Sequence, residues 1–410
     1  MKSMVIIVNN NFESDPRVTR TVKASIEFFT KITVLSGTPN FRNKKSTKNG
    51  KIKVVNYFFY KPNFSKSNLV KSALSIVTSG KKDSDKESTQ KNNFFRTFLF
   101  IGWLTNILLM NVIIFFRFIS LKADLYYAND FDTLWVTFLL GKFHKGKIIY
   151  DSHEIYADLI VDSPKIYNKL IRLIEGSLIK KMSAVITVNN PIARLLQERY
   201  NLEIKPEVIY NTPYLEIDNS NQNRHINRPF KLLYHGMYLP GRNLEELIHC
   251  MKHVSNSHLF LRGFGVLEKN LQDLVLELNV SDKVTFLEPI KMKDMVNQAT
   301  DFDIGIIPYP GSQKELNSYF CTPNKIFEYM MAGLALAVSD LPVLREIVLK
   351  NENGIIFERD NIFSMAENLN KLTSEDLKKM RKNSLKSSRE TYNFNHESKK
   401  LIGIYEMLFD

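Results

Sequence analysis

Cysteine is scarce in this chain of 410 residues. The two cysteines, Cys250 and Cys321, form no CxxC pattern and no zinc-type spacing. This argues against a disulfide framework and fits a reducing compartment. The histidines also lack metal-ligand spacing, because His249 and His253 lie one helical turn apart without a third partner.

The start of the given sequence does not predict a secretory leader. The apolar run at 4–8 is too short for a signal peptide and predicts a first β-strand instead. The chain shows no internal repeat and no zinc-finger, RNP or KH signature, so a nucleic-acid-binding protein is the weakest of the functional classes considered.

Acidic residues are outnumbered by basic ones. The chain has 43 Asp and Glu against 56 Lys and Arg, a net charge of +13, and much of the excess lies within 61–96. A basic surface predicts an anionic partner, either lipid headgroups, phosphorylated substrates or, least favoured, nucleic acid.

Strand-like apolar runs alternate with amphipathic stretches twice along the chain, which predicts an α/β protein with two parallel sheets covered by helices. Strands are predicted at 4–8, 31–35, 52–59, 124–128, 147–150, 184–188, 207–210, 231–235, 257–262, 283–287, 303–307 and 334–339. Helices are predicted at 14–29, 131–143, 164–182, 241–254, 266–279, 341–349 and 374–392.

The length suits two domains. We expect a first domain over 1–205 and a second over 206–393, with the polar stretch 215–225 as hinge and a final helix at 394–410 packing back on the first domain. Two doubly wound domains facing a central cleft place ligands beyond the carboxyl ends of their strands.

One uncharged segment of 20 residues, 97–116, is flanked by Arg96 and Arg117. Its length would span a bilayer, but a span would separate strands that should share one sheet. Two interpretations remain: a buried helix, or a helix in the membrane interface with the basic residues of 61–117 on anionic headgroups.

The most informative stretch is 301–346, where a buried strand leads through a polar loop to a helix start. Lys325 lies one turn before Glu328, so one side chain can reach a diphosphate and the other a ribose hydroxyl. The alternative is an ordinary surface Lys–Glu pair. Asp301-x-Asp303 and Asp130-x-Asp132 do not support a metal site, and we predict none.

A second cation precedes another helix of the second domain. Gly236 would let the backbone approach a ligand, and Arg242 would bind a diphosphate bidentately, so that Arg242 and Lys325 together stabilise a departing nucleoside diphosphate. A lone surface arginine is the alternative. The turn Gly263-x-Gly265 follows a strand of the same domain and is weak evidence alone.

Polar residues also follow strands of the first domain. His153 and Glu154 could orient a sugar or an acceptor hydroxyl, or could belong to a capping cluster in which Asp151 or Ser152 is the N-cap. The pair Asp15-Pro16 predicts a helix N-cap and first turn, and Arg17 would point at an anionic acceptor.

Taken together these residues resemble the group-one nucleotide-sugar glycosyltransferases, a retaining family of the GT-B fold. The resemblance rests on 15–20, 150–154, 208–211, Gly236 with Arg242, 263–265 and, most specifically, 323–333. It implies two Rossmann-like domains that close about a hinge, a UDP- or GDP-sugar donor bound mainly by the second domain, an acceptor bound by the first through Asp15 and Arg17, and no required metal or other cofactor.

Two positions depart from the family pattern. Glu328 matches the second of a glutamate pair, the ribose ligand, but Phe320 occupies the position of the first, which touches the sugar. Sugar contacts would then come from the backbone around Cys321 and Thr322, next to Asn324. Met237 stands at the family's arginine position, where Lys325 would restore the charge.

The resemblance and the basic, apolar segment predict a hexosyltransferase-type enzyme. It would transfer a sugar to a membrane-associated, lipid-linked acceptor in cell-surface polysaccharide biosynthesis, as a cytoplasmic protein peripheral on the inner face of the membrane. The alternatives are an epimerase or phosphorylase, or a catalytically degenerate partner subunit, which Phe320 and Met237 would favour.

Overall fold

A computed structural model describes most of the chain and divides it into two compact units. The described residues are 2–38, 46–48, 50–58, 86–159, 165–215, 225–313 and 315–410. The N-terminal unit comprises Met1–Ile186, Leu196–Glu207 and Ile404–Asp410, and the C-terminal unit comprises Thr187–Leu195 and Val208–Gly403. The contiguous domains 1–205 and 206–393, with the helix 394–410 packing back on the first, stay a prediction. The units differ from it at 187–195, at 206–207 and at 394–403, which is grouped with the C-terminal unit.

The N-terminal unit is built on an eight-stranded sheet in the order β3-β4-β2-β1-β5-β6-β7-β8. The strands are β1 Ser3–Val8, β2 Lys31–Thr38, β3 Ser46–Lys48, β4 Ile52–Phe58, β5 Leu125–Asn129, β6 Lys147–Ser152, β7 Ala184–Thr187 and β8 Glu207–Val208. Central β1 runs parallel to β2 and β5, with Met4 opposite Ile32 and Leu125. Its near-continuous apolar sequence is typical of a parallel strand that helices cover on both faces.

The helices of the N-terminal unit follow its strands in alternation. They are α1 Pro16–Ser25, α2 Lys86–Phe118, α3 Phe131–His144, α4 Lys165–Ile179 and α5 Asn190–Tyr200, the first residues of α5 being grouped with the C-terminal unit. Asp15 caps α1 by accepting hydrogen bonds from the backbone N–H groups of Arg17 and Val18, with Pro16 in the first turn. The predicted N-cap is therefore confirmed.

The C-terminal unit contains a six-stranded sheet in the order β11-β10-β9-β12-β13-β14, all of whose paired strands run parallel. The strands are β9 Phe230–His235, β10 Ser257–Arg262, β11 Val284–Leu287, β12 Ile304–Ile307, β13 Ala335–Ser339 and β14 Gly354–Phe357. Renumbered from one, this order is 3-2-1-4-5-6, the arrangement of dinucleotide-binding sheets.

Helices on both faces of this sheet bury one continuous apolar core. They are α6 Leu244–Met251, α7 Glu268–Glu277, α8 Met295–Ala299, α9 Leu316–Tyr319, α10 Lys325–Met331, α11 Pro342–Asn351, α12 Ile362–Asn370, α13 Ser374–Glu390 and α14 Phe394–Phe409. The last residues of α14 belong to the N-terminal unit, where the hydroxyl of Tyr405 lies 2.8 Å from Ser25 Oγ.

The sheet order fixes where ligand-binding loops can lie. In a doubly wound sheet the strand order reverses at one point, and ligands bind beyond the carboxyl ends of the two strands that flank it. In the N-terminal unit these strands are β1 and β5, and in the C-terminal unit they are β9 and β12. The loops after these four strands are therefore the first candidates for a functional site.

The uncharged segment 97–116 forms the greater part of α2. Along the described side chains one face packs into the N-terminal core through Ile107, Met110, Asn111 and Ile114. The opposite face exposes Leu109, Val112, Ile113 and Phe116, with 46% to 68% of each side chain accessible. Within the described residues, no helix has the length and hydropathy that crossing a membrane requires. The basic stretch 61–85 lies outside the described residues, as does most of the expected hinge.

Candidate functional site

The site begins at Lys325, the first residue of α10, which follows the loop after β12. Its side chain is only 7% exposed, and its Nζ lies 3.6 Å from the centre of the Tyr234 ring and 5.3 Å from that of Tyr309. In the described part of the chain Lys325 forms no ion pair with a carboxylate. A surface Lys–Glu pair, the alternative raised by the sequence, is therefore wrong.

The surroundings of Lys325 disfavour its charged form. Burial is the largest cause, the positive charge of Arg242 adds to it, and together they lower the pKa of Lys325 well below its usual value. Glu328 opposes this shift only in part. A buried ammonium held in this way is stabilised when a phosphate anion arrives beside it.

Glu328 is held by a histidine rather than by Lys325. His235 ends β9, and its Nε2 lies 2.8 Å from a carboxylate oxygen of Glu328. Burial lowers the pKa of His235, so the neutral ring donates its Nε2 hydrogen to the carboxylate. The His235 backbone N–H in turn donates to the hydroxyl of Tyr329 at 3.0 Å. The sequence analysis missed His235, although it immediately precedes Gly236.

Gly236 leaves room for the Lys325 ammonium because it has no side chain. Its φ of 138° lies in a region that residues with side chains rarely adopt, and a Cβ there would lie 2.9 Å from Lys325 Nζ. A substitution at Gly236 would therefore disturb both the loop after β9 and the position of the lysine ammonium.

The two glycines of the Gly263-x-Gly265 turn have a packing role. A Cβ at Gly263 would collide with the Gly236 carbonyl oxygen, and one at Gly265 would collide with the backbone of Tyr238. The Tyr238 N–H donates to the Phe264 carbonyl at 2.9 Å. These contacts join the loops after β9 and β10, and the predicted ligand contact of the two glycines stays a prediction.

Arg242 lies in the loop between β9 and α6 and turns toward the same place. Its guanidinium carbon lies 4.6 Å from the centre of the Tyr309 ring, and Tyr309 is also the ring that Lys325 approaches. The two cations predicted to bind a diphosphate are thus brought together at the switch point between β9 and β12.

The loop 320–324 is anchored by two asparagines. The side-chain amide of Asn189 donates to the Phe320 carbonyl at 2.7 Å and to the Thr322 hydroxyl at 2.8 Å. Asn211 donates to the side chain of Asn324 at 2.9 Å. Cys321 is half-buried in the same loop and lies close enough to affect the pKa of Lys325. The predicted sugar-contacting loop is therefore held in place beside the lysine.

In the N-terminal unit, His153 lies between two carboxylates beyond the ends of β5 and β6. Its Nδ1 is 3.0 Å from Asp130 and its Nε2 is 3.3 Å from Asp151. Asp151 also binds Arg17 through two contacts, at 2.6 and 2.9 Å, and accepts a hydrogen bond from Tyr127 at 2.8 Å. Asp151 and Ser152 both belong to β6, and the next helical turn in the described residues, Tyr156–Asp158, has Ile155 at its N-cap with no side-chain cap, so neither residue caps that turn.

The two carboxylates fix the charge of His153. Burial favours the neutral ring, but Asp130 and Asp151 outweigh it and raise the pKa of His153 to about 10. Burial opposes ionisation of Asp151 too, yet Arg17 and His153 hold its pKa well below its usual value. His153 is therefore a cation at neutral pH, able to donate a hydrogen bond but not to accept a proton from a hydroxyl.

Asp130 was missed as a site residue by the sequence analysis, which considered it only for a metal. Its backbone has φ 65° and ψ 169°, a strained conformation for a residue other than glycine. Its carboxylate also accepts the backbone N–H of His153 at 2.9 Å. The strain therefore places Asp130 where it holds both the backbone and the ring of His153.

The predicted acceptor contacts differ in their surroundings. Arg17 is buried and ion-paired with Asp151, so the structure gives it a structural partner. Asp15 caps α1 and accepts a hydrogen bond from Asn10 at 2.8 Å. Glu154 is exposed beyond β6. Acceptor binding by Asp15 and Arg17, and catalysis by Glu154, stay predictions. Across the described residues, no group of three or more His, Cys, Asp or Glu could hold a metal ion.

Solved structures share this architecture along the whole chain. Sucrose-phosphate synthase from Thermosynechococcus elongatus aligns over 100% of this chain and 99% of its own, with a TM-score of 0.74 and 14% identity. HepE from Anabaena, solved in complex with UDP and glucose, aligns over 99% of this chain and 100% of its own, with a TM-score of 0.65 and 13% identity. The chain therefore has the GT-B fold.

A family model matches the C-terminal part of the chain. Residues 216–391 match the family model of the glycosyl transferases group 1. An uncharacterised glycosyltransferase of Methanocaldococcus jannaschii is 24% identical over 184 residues, 44% of this chain. The chain matches 45% of that protein's length. The predicted fold is confirmed, and these matches support the predicted family.

Proposed function

We propose that this enzyme transfers a hexose from a UDP- or GDP-sugar to a membrane-associated, lipid-linked saccharide acceptor in the biosynthesis of a cell-surface polysaccharide. The proposed reaction retains the anomeric configuration of the sugar. The proposed location is the cytoplasm, peripheral on the inner face of the cell membrane.

One observation carries the donor assignment. Arg242 and Lys325 both approach the buried Tyr309 ring, and Glu328 lies one turn along α10 from the lysine. Two cations can stabilise the charge that develops on a departing nucleoside diphosphate, while the glutamate accepts hydrogen bonds from ribose hydroxyls. Because these cations offset the diphosphate charge, the proposed reaction needs no bound metal.

Uridine nucleotides are the first candidates for the donor. HepE was solved with UDP and glucose, and the Escherichia coli trehalose-6-phosphate protein was solved with UDP-2-fluoro glucose, at a TM-score of 0.67 and 10% identity. These ligands belong to those proteins, and they support the order in which nucleotides should be tested here.

The charge of His153 supports a mechanism without a histidine base. Since Asp130 and Asp151 raise the pKa of His153 to about 10, the ring cannot take the proton of an acceptor hydroxyl at neutral pH. In the proposed mechanism the departing diphosphate itself assists that hydroxyl, while Arg242 and Lys325 stabilise its charge.

The exposed face of α2 supports a membrane-associated acceptor. Leu109, Val112, Ile113 and Phe116 follow the spacing of one helical face and are all exposed. Phe143 of α3 extends this surface, with 60% of its side chain accessible and its ring 6.3 Å from that of Phe115. Exposed apolar side chains in a basic protein suit the interface of an anionic bilayer.

A thermal-shift titration with UDP, GDP, ADP and their sugars, without added metal, tests the donor site. We expect one nucleotide to raise the Tm of the wild-type protein and neither Glu328→Ala nor Lys325→Ala to respond. Glu352→Ala, an exposed glutamate of the same unit, is the matched control. If no nucleotide shifts the wild-type Tm, the transferase proposal fails and the degenerate partner subunit is favoured.

A liposome flotation assay tests the membrane surface. The wild-type protein should float with vesicles that contain anionic phosphatidylglycerol, and Leu109→Glu or Phe116→Glu should leave most of it in the pellet fraction. Leu349→Glu in the C-terminal unit, where the leucine is 57% exposed, is the control. Equal flotation of all variants would refute a role for this face of α2.

A further inference from the structure

The two cations of the proposed diphosphate site lie against two tyrosine rings. Lys325 Nζ is 3.6 Å from the centre of the Tyr234 ring and 5.3 Å from that of Tyr309, and the guanidinium carbon of Arg242 is 4.6 Å from the centre of the Tyr309 ring. Tyr234 lies in β9, Tyr309 follows β12, and the two cations come from a loop and from α10. Four separate segments of the C-terminal unit therefore meet around these two rings.

Both rings are fixed in the core. Tyr234 is fully buried and Tyr309 is 6% exposed, and the Tyr234 hydroxyl donates to the Met237 carbonyl at 3.3 Å. Burial raises the pKa of both phenols, that of Tyr309 to about 12, so both stay neutral over the working range of pH. The rings thus offer a rigid, uncharged surface to the two cations.

Two like charges held close together repel each other, and the usual remedy is a carboxylate between them. Glu328, one turn along α10, accepts a hydrogen bond from His235 and offsets the charge of Lys325 only in part. An aromatic face attracts a cation without adding negative charge. A ring therefore leaves the full positive charge for a phosphate, whereas a carboxylate would neutralise the cations and repel the ligand.

We propose that Tyr234 and Tyr309 are positioning residues, which hold the Lys325 ammonium and the Arg242 guanidinium at the spacing that the diphosphate of the donor requires. This inference rests on the proposed function. Tyr309 has the larger part, since it contacts both cations. The tyrosines act through the cations and not on the sugar, so their effect should appear only with ligands that carry the diphosphate.

The test measures UDP binding by calorimetry for the wild-type protein, Tyr309→Phe, Tyr309→Leu and Tyr309→Met, with GDP as the second probe. Phenylalanine keeps the aromatic face, so Tyr309→Phe should bind UDP within about twofold of wild type. Tyr309→Leu and Tyr309→Met should bind about twofold to thirtyfold more weakly, the fold-change that corresponds to the loss of a cation–π contact.

Two controls distinguish the positioning of the cations by Tyr309 from general damage to the fold. Phe230, at the start of β9, is another buried ring, and the guanidinium carbon of Arg228 lies 5.6 Å from its centre. The control variant Phe230→Leu removes this ring and should bind UDP like wild type. Binding of uridine, followed by saturation-transfer NMR, should be equal in Tyr309→Leu and wild type, because uridine has no phosphate. Methionine adapts to irregular space, so Tyr309→Met replaces Tyr309→Leu in the test if the leucine variant does not fold.

The outcomes distinguish this inference from the function on which it rests. If the wild-type protein binds neither UDP nor GDP, both the proposed function and the role of the tyrosines are refuted. If the wild-type protein binds UDP and the leucine and methionine variants bind it equally well, only the role of Tyr309 is refuted. Equal weakening of uridine and UDP would show that the ring has a general structural role, which would also overturn the inference.

Discussion

Replacing Lys325 with methionine should weaken the ligand and strengthen the fold at the same time. The side chain is only 7% exposed and has a second cation, Arg242, close enough to lower its pKa. A buried charge without a carboxylate costs several kcal/mol of desolvation, of which cation–π contacts return about 1–2 kcal/mol. Methionine has a similar volume and no charge, so Lys325→Met removes the cost and keeps the packing.

The two effects have separate magnitudes. A charge-assisted hydrogen bond to phosphate is worth about 1.5–3 kcal/mol, so Lys325→Met should weaken UDP binding about tenfold to a hundredfold. Unfolding of the ligand-free protein should need about 1–3 kcal/mol more, which raises the Tm by a few degrees for a domain of about 200 residues. Calorimetry provides both quantities, from a UDP titration and from a thermal scan.

The stabilisation expected for Lys325→Met depends on pH. The folded pKa of Lys325 is lowered, so the unfolded chain binds the extra proton and this group costs stability below its unfolded pKa of about 10.5. The stabilisation by Lys325→Met should therefore be greatest near neutral pH and vanish above about pH 10.5. Lys350→Met, an exposed lysine of α11, is the control. Unchanged UDP binding, or a Tm lowered by several degrees, would refute the reasoning.

Three further predictions concern other parts of the molecule. The pKa of His153 is raised to about 10, so the stabilisation from its charge is fully present below pH 6.5 and is lost as the pH rises through 10. His153→Gln should therefore lower the free energy of unfolding by on the order of 2 kcal/mol at pH 6 and change it little at pH 10.5. Urea unfolding followed by tryptophan fluorescence measures this in the N-terminal unit, which holds both Trp103 and Trp135. Gly305→Ala should lower the Tm, since its Cβ would collide with the buried ring of Tyr329 and overpacking costs about 1–3 kcal/mol. Nucleotide binding should be unchanged by EDTA, whereas a loss restored by Mg²⁺ would contradict the metal-free site.

The strands were predictable because the buried strands of a parallel sheet have continuous apolar sequences. Each of the twelve predicted strands corresponds to an observed one, since buried runs such as 4–8 and 304–307 are apolar throughout and flanked by turn residues. β3 and β14 were missed. β3 is a short antiparallel edge strand at 46–48, and β14 is a short run at 354–357 with a half-exposed surface.

Helix boundaries were less predictable than helix positions. The predicted helix 14–29 ends at Ser25, because the following residues form turns that pack Phe28 and Phe29 against α14. The helices α5 and α12 were missed, as were the short helices α8 and α9. Local pattern indicates that a helix exists, but its end is decided by partners that are distant in sequence.

The site was predictable where a residue carries its own charge and lies after a strand. Lys325, Arg242 and Glu328 were found in this way. The aromatic rings and His235 were not, because a tyrosine or histidine at the end of a buried strand has the same sequence pattern as any core residue. Their roles depend on which strands are neighbours, and only the order β9-β12 shows this.

The central claim is sugar transfer from a nucleoside diphosphate at the Arg242–Lys325 site. The most direct measurement follows release of UDP and GDP from a panel of their sugars, with and without a lipid extract of cell membranes as acceptor. We predict release from one donor, dependent on the lipid fraction, with a labelled sugar recovered in that fraction and no turnover by Lys325→Ala. Release of free sugar without an acceptor would indicate an epimerase-type reaction, and no release with any donor would contradict the account.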